Sequence, residues 1–289
     1  MKKFIACVFA VALAAMGCFG FTACSKTSGE AQLKVIPVEL SSEQYAFAIK
    51  KGDTTLKNSV NQFFKDKRTE IDEIFAKYTD ENADLSSFGS DGIQTKSTDS
   101  ANELVVATNL EFSPFEYTNG NKIAGIDMEI AQLLADYLGK KLVVENMQFD
   151  AVVNSVASRD EYDIGIAGLT ITPERAESVD FSDPYFGASQ MIVVAKDDTT
   201  FDGLTTKEAV AEKLASLTGN AAKCGGQKGT TSQFYIQGSE DFGFDGFANL
   251  TFSPYASAAL AAQDMLNGGI SFVVVDKETA NVLVSSFVK

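Results

Sequence analysis

Apolar positions along this chain follow two periods, and the places where one gives way to the other outline its elements. Leu33–Val38 and Gln44–Ile49 read as strands, with Ser41-Ser42 between them. Two helices follow. Leu56, Val60 and Phe63/Phe64 share one face of a helix over 54–65, and Ile71, Ile74, Phe75 and Tyr78 share one face over 71–78. Residues 81–101 are rich in Ser, Asp, Gly and Thr and have no period, which predicts a linker. From Glu103 strand and helix patterns alternate. Leu104–Thr108 reads as a strand, 109–117 as a loop, and Asp127 as the cap of a helix with Ile130, Leu133, Leu134 and Leu138 at helical spacing. Strands at 141–145 and 163–167 bracket a helix at 149–158, and Pro173 starts a short helical turn over 173–177 before a strand at 190–195. The remainder repeats this grammar: a helix at 206–217, a Gly-rich turn at 225–232 opening a helix, a strand-like run at 251–254, a helix at 256–267, a strand at 270–275, and a last helix from Asp276 to about 288. Such alternation predicts an α/β architecture of mostly parallel sheets flanked by helices.

Composition narrows the function more than the fold. The chain has 289 residues, 45% hydrophobic and 22% charged, which suits one large or two medium globular domains. Its net charge of −15 leaves no basic stripe to neutralise phosphates, which argues against nucleic acid as a partner. The acidity reads first as solubility and second as steering of a cationic ligand. The absence of His removes His-based triads and His metal sites, and nothing in the pattern asks for a metal or cofactor.

The N-terminus reads as an export signal. Lys2 and Lys3 precede an apolar run from Phe4 to Gly17, which Gly17, Gly20 and Thr22 keep too short for a transmembrane anchor. Phe21-Thr22-Ala23-Cys24 resembles a lipoprotein signal box, with Cys18 a weaker rival. That resemblance implies cleavage of residues 1–23, lipidation of Cys24, a tether over 24–30, and a protein held on the extracytoplasmic face of the cell membrane. Cys7 and Cys18 would leave with the signal, so Cys224 has no intramolecular disulfide partner and reads as a small, poorly reactive residue.

The most specific stretch is Ala167-Gly-Leu-Thr-Ile-Thr-Pro-Glu-Arg-Ala-Glu-Ser-Val-Asp-Phe-Ser-Asp-Pro-Tyr185. Gly168 at a strand end lets a ligand approach the backbone, Thr170 and Thr172 offer hydroxyls, and Arg175 offers a planar fork that fits a carboxylate. The stretch resembles the signature of polar amino-acid-binding proteins of ABC importers, the bacterial solute-binding proteins of family 3. That resemblance implies a two-lobe, periplasmic-binding-protein-like type II fold with a two-segment hinge, serving a permease subunit as a monomer.

The segments stand in an unusual order. The pieces expected at the family's C-terminus, Leu33–Ile36, Glu43–Asp53 and Asp72–Tyr78, stand at the front, and the chain stops soon after Asp276. The pattern therefore resembles a circularly permuted member, with linker 81–101 joining the family's usual ends. The implied domains are 31–38 as the final strand of lobe 2, 39–190 as lobe 1, and 191–289 as lobe 2. A gene fragment with a leftover neighbour and a swapped dimer are the alternatives.

The resemblance also implies site roles. Arg175 would clamp the ligand carboxylate, helped by Thr170 and by Thr231 at the start of a lobe 2 helix. Asp276 would take the ammonium with the Gly168 carbonyl, and Phe112 and Phe149 would sandwich the side chain. Asn109 and Glu111 neighbour Phe112 and are candidates for reading that side chain, with Glu111 equally able to face solvent. Each residue has a plainer reading: Arg175 on the surface, Asp276 and Thr231 as helix caps, Phe112 in the core. Two other functions use the same scaffold. One is a sensor signalling to a membrane receptor; the other is a cyclohexadienyl or arogenate dehydratase, for which Glu111 is the acid that can be named.

Overall fold

The computed structural model describes residues 30–288 except Glu81, and for Asp241 the backbone only. The signal segment, Cys24 and the tether up to Gly29 lie outside the described residues. In chain order the strands are β1 (Leu33–Ile36), β2 (Glu43–Tyr45), β3 (Ala48–Lys50), β4 (Glu103–Thr108), β5 (Glu111–Phe112), β6 (Glu116–Asn119), β7 (Lys122–Ala124), β8 (Lys141–Asn146), β9 (Ile164–Gly165), β10 (Val179–Phe181), β11 (Phe186–Ala188), β12 (Gln190–Ala195), β13 (Lys223–Gln227), β14 (Thr251–Tyr255) and β15 (Phe272–Asp276). The helices are α1 (Thr54–Asp66), α2 (Arg68–Thr79), α3 (Ile126–Tyr137), α4 (Phe149–Ser158), α5 (Pro173–Ser178), α6 (Lys207–Ser216), α7 (Thr231–Gln237), α8 (Ala258–Leu266) and α9 (Lys277–Ser286).

Two five-stranded sheets form two lobes. Lobe 1 has the order β10-β3-β9-β4-β8 and lobe 2 the order β1-β12-β15-β13-β14. Each sheet is buried on both faces, so alternate residues of one strand enter different layers. In β4, Leu104 and Val106 face one apolar layer with Ile130 and Leu134 of α3, while Val105 and Ala107 face Val152 and Val156 of α4. In β12, Met191 and Val193 pack with Ala261 and Leu283, while Ile192 and Val194 pack with Val210 and Leu214 of α6. This two-sided burial is why these strands read as continuous apolar runs.

The sheets are mixed rather than mostly parallel. β4 pairs parallel with β8 and β9, and β13 pairs parallel with β14 and β15. The strands next to the lobe junction, β3, β10, β1 and β12, pair antiparallel. The reversal follows from direction: chain that crosses from one lobe enters the other sheet against the strands built by its own crossovers.

The chain crosses between lobes twice. It leaves β1 in lobe 2, passes through β2, and enters lobe 1 at β3; it returns through β11 into β12. β2 and β11 pair antiparallel in their own two-stranded sheet, with Tyr45 opposite Phe186 and Glu43 opposite Ala188. The crossings are also tied by Leu40 N–H donating to the Gln190 carbonyl and Gln190 N–H donating to Ser41 Oγ, both at 2.9 Å.

Several expectations shift in detail. The run at 44–49 divides, because β2 belongs to the junction and β3 to lobe 1. The loop at 109–117 contains β5 and the start of β6, which with β7 form a three-stranded sheet. The expected linker, described from residue 82 to 101, contains a 3-10 turn at Leu85–Ser87 and lies pinned along lobe 1. Phe88 and Ile93 pack on the core, and Ser97 Oγ and the Thr98 and Asp99 N–H groups donate to Glu103 at 2.7, 3.1 and 3.1 Å. Asp127 does not cap α3; Gly125 occupies that position and Asp127 lies inside the helix, fully buried.

Candidate functional site

Strand ends and helix starts from both lobes converge on a cavity lined by Phe112, Phe149, Gly168, Thr170, Arg175, Gln227, Thr230, Thr231 and Asp276. It holds all seven residues expected to contact a ligand directly. Arg175 is positioned by the first turn of α5, where Pro173 opens the helix and Thr172 Oγ1 caps it by accepting from Arg175 N–H at 3.0 Å. Its guanidinium donates to the Thr170 carbonyl at 2.8 Å and, across the cleft, to the Gly229 carbonyl at 3.0 Å. Its Cζ lies 5.4 Å from the centre of the Phe149 ring. Burial lowers its pKa to about 10, so it remains a cation at neutral pH.

Asp276 ends β15 at the cap position of α9, but its side chain makes no capping bond. Its carboxylate instead accepts from Tyr45 Oη. Burial, then the neighbouring charge of Glu43, raises its pKa to about 7. Thr231 likewise is no cap. Its hydroxyl donates to Glu43 Oε2 at 2.7 Å and accepts from Gln190 Nε2 at 3.0 Å. Thr170 Oγ1 donates to the same Glu43 oxygen at 2.8 Å. Gly168 has φ +53°, and a Cβ there would lie 3.0 Å from Phe112 Cε1. Ring and backbone therefore meet as only glycine permits.

The remaining candidates fall outside the lining. Glu111 is exposed on β5. Asn109 is buried behind the cavity, donating to the Met147 carbonyl at 2.7 Å and accepting from Gln227 Nε2 at 2.7 Å. Lys228 points away and pairs across the cleft with Asp150 at 2.7 Å. Cys224 is buried in lobe 2, and burial pushes its thiol up to about 12, which fits an unreactive residue.

Six polar residues of the site escaped the sequence reading: Glu43, Tyr45, Gln190, Gln227, Thr230 and Asp127. Alternation along β2 puts Glu43 and Tyr45 on one face, a signal that points inward but names no partner. Asp127 accepts from Gly168 N–H at 2.8 Å and from Tyr185 Oη at 2.7 Å, so it holds the cavity wall from behind. Burial raises its pKa to about 6. Beside it, Glu116 is fully buried and no donor among the described residues reaches its carboxyl. Burial and the charge of Asp127 push Glu116 well above the usual carboxylate range. No group of metal-ligating side chains occurs among the described residues.

The model of the bacterial extracellular solute-binding proteins, family 3, matches residues 104–283. The chain belongs to that family. Its members are extracellular by description, and the two-lobe α/β fold is theirs. The arginine-binding extracellular protein ArtP of Bacillus subtilis (strain 168) is 40% identical over 95 residues, which cover 33% of this chain and 37% of that protein. ABC transporter arginine-binding protein 1 of Escherichia coli (strain K12) is 31% identical over 182 residues, covering 63% of this chain and 66% of that protein. The match thus spans less than two thirds of either relative. The structure of holo ArgBP from T. maritima superposes with a TM-score of 0.53 at 32% identity, over 64% of this chain and 74% of that one. A cyclohexadienyl dehydratase of Pseudomonas aeruginosa also matches, 40% identical over 83 residues, or 28% of this chain and 31% of that enzyme.

Proposed function

We propose that this family 3 protein captures a polar amino acid between its lobes and delivers it to the permease of an ABC transporter. One observation carries the reading. A half-buried cation, Arg175, and a buried carboxylate, Asp276, from different lobes line one cavity with the Phe112 and Phe149 rings. A free amino acid presents one carboxylate and one ammonium, and burying both requires a partner for each. Arg175 and Thr170 take the carboxylate; Asp276 and the Gly168 carbonyl take the ammonium; Phe112 and Phe149 flank the side chain. Charge-assisted bonds contribute roughly 1.5–3 kcal/mol each, enough in sum for micromolar binding after ordering costs. Closure is hinge motion about the paired β2 and β11 crossings.

The names of relatives support an amino-acid ligand, and arginine and histidine recur among them. Against the dehydratase reading, Glu111, its candidate acid, is exposed and outside the cavity. The export signal and Cys24 support a lipid-anchored protein on the outer face of the membrane.

We also propose that the chain is circularly permuted. The family match starts at residue 104, yet β1 completes the lobe 2 sheet while β3, α1 and α2 complete lobe 1. Residues 31–38, 39–190 and 191–289 then form the last strand of lobe 2, lobe 1, and the rest of lobe 2.

A thermal-shift screen against the twenty amino acids and cystine, run beside Arg175→Ala, tests the function. A selective rise in melting temperature that disappears in the variant is the expected result. A well-folded protein that responds to none of them sinks the importer reading.

A further inference from the structure

A groove of about 660 Å3 lies on lobe 1 between α2, α3 and residues 87–93, and it shares no lining residue with the interlobe cavity. Its third wall comes from the expected linker, yet that wall is fixed. Ser90 and Ile123 exchange backbone hydrogen bonds at 2.9 and 3.2 Å, which lays the segment beside β7. Tyr117 Oη donates to the Leu85 carbonyl and Asn119 Nδ2 to the Phe88 carbonyl, both at 2.9 Å. The Phe88 ring rests edge-to-face on Tyr78 of α2, with centroids 4.9 Å apart. The groove is therefore preformed, and an occupant does not have to order its walls.

The lining joins apolar surface to negative charge. Ile74, Phe88, Ile93 and Leu133 are half-buried where they line it. Its charged members are Glu70, Glu73, Glu129 and Asp136, against Lys77. That lysine is already engaged: its Nζ lies 2.6 Å from Glu129 Oε1 and 4.6 Å from the centre of the Phe88 ring. Glu70 pairs with Lys67 at 2.6 Å, outside the groove. Glu73 and Asp136 are exposed, and neither pairs with a cation among the described residues. Apolar surface rimmed by like charges is the pattern of an interaction site rather than of a bare solvated face.

We propose that this groove docks a basic amphipathic segment of a second protein, whose apolar side chains cover Ile74, Phe88 and Leu133 and whose Lys or Arg side chains meet Glu73 and Asp136. The apolar contact supplies affinity, and the acidic rim supplies attraction and orientation. The same rim repels an anionic lipid surface and a phosphate backbone, so neither of those is the occupant. Because every lining residue belongs to lobe 1, docking needs no closure of the lobes, and the proposal does not depend on the amino-acid reading.

Fluorescence anisotropy on the purified protein tests this at physiological ionic strength, where charges elsewhere on the surface are largely screened. The probe is a labelled synthetic peptide of about eighteen residues with Leu and Lys at helical spacing, and its control carries Ser in place of each Leu. The unaltered protein is expected to bind the Leu–Lys peptide about tenfold or more tightly than the control. Glu73→Lys combined with Asp136→Lys should weaken that binding about tenfold, and Leu133→Gln about threefold or more. Glu161→Lys combined with Glu212→Lys makes the same change in net charge at exposed positions outside the groove and should alter it less than about twofold. Melting curves establish that each variant folds, and the charge-reversed pairs decide alone if Leu133→Gln does not. Equal binding of the two peptides, equal weakening by the two charge-reversed pairs, unchanged affinity in the groove variants, or no binding at all overturns the proposal. None of these results touches the amino-acid reading.

Discussion

Binding at this site should tighten as the solution becomes more alkaline through neutrality, because Asp276 must be ionised to receive an ammonium. In the ligand-free protein its pKa stands at about 7, raised by burial and by the charge of Glu43, and opposed by the Tyr45 hydroxyl and Gln190. Arg175, with its pKa at about 10, stays charged throughout this range, as does the ligand ammonium. Pairing with that ammonium depresses the Asp276 pKa, so binding releases a proton whenever the free protein holds one. The apparent Kd then scales as 1 + 10^(7 − pH). Between pH 8 and pH 6 the affinity should fall about tenfold, or about 1.4 kcal/mol, with close to one proton released per ligand at pH 6 and about half at pH 7. Calorimetry with L-arginine and L-glutamine, in buffers of different ionisation enthalpy, reads both quantities. Asp276→Asn should remove the pH dependence and weaken binding by roughly 10- to 100-fold, the loss of one charge-assisted contact. An affinity that is flat or rises toward acid, with no buffer-dependent heat, refutes the assignment of Asp276.

The ligand-free fold should itself lose stability as pH rises. Glu116 and Asp127 have folded pKa values above their unfolded ones, so the native state holds more protons and stability falls from about pH 4 upward. The melting temperature should be higher at pH 5.5 than at pH 8, and Glu116→Gln should raise the pH 8 value. Gly168→Ala forces a side chain to φ +53° against the Phe112 ring, which should cost about 1–3 kcal/mol, lower the melting temperature by several degrees and weaken ligand binding in the same thermal-shift assay. Moving residues 31–80 behind residue 288, to restore the family's usual order, should give a protein that folds and binds with a melting temperature within a few degrees of the original; failure to fold argues against permutation.

Periodicity located what depends on neighbours in sequence. The apolar stripes of α1, α3 and α4 and the paired runs of β4 and β12 declare themselves because both faces of each sheet are buried. β13 does not, since Gly225 and Gly226 remove the side chains by which a strand is recognised. They are glycines because Tyr255 and the Val274 carbonyl pass where a Cβ would stand. Part of the cavity lining was readable because Thr170 and Arg175 sit in one long signature. The polar frame around them was not. Glu43 meets Thr170 and Thr231, 127 and 188 residues away, and Gln227 meets Asn109, 118 residues away. No local pattern encodes such pairs. The same limit explains Asp127, whose place at a helix start suggests a cap, while the fold turns its carboxylate inward to Gly168.

The register of β1 fixes an order of events in folding. Leu33 pairs with Ala195 and Ile36 with Ile192, so β1, the first strand among the described residues, finds its sheet partner β12 some 160 residues later. The strands of the lobe 1 sheet, from β3 to β10, all fall within that interval. Closing so long a loop is slow, though each doubling of its length adds only about 0.6 kcal/mol. β1 therefore cannot pair in this sheet until the intervening residues up to β12 have been made and brought back to it.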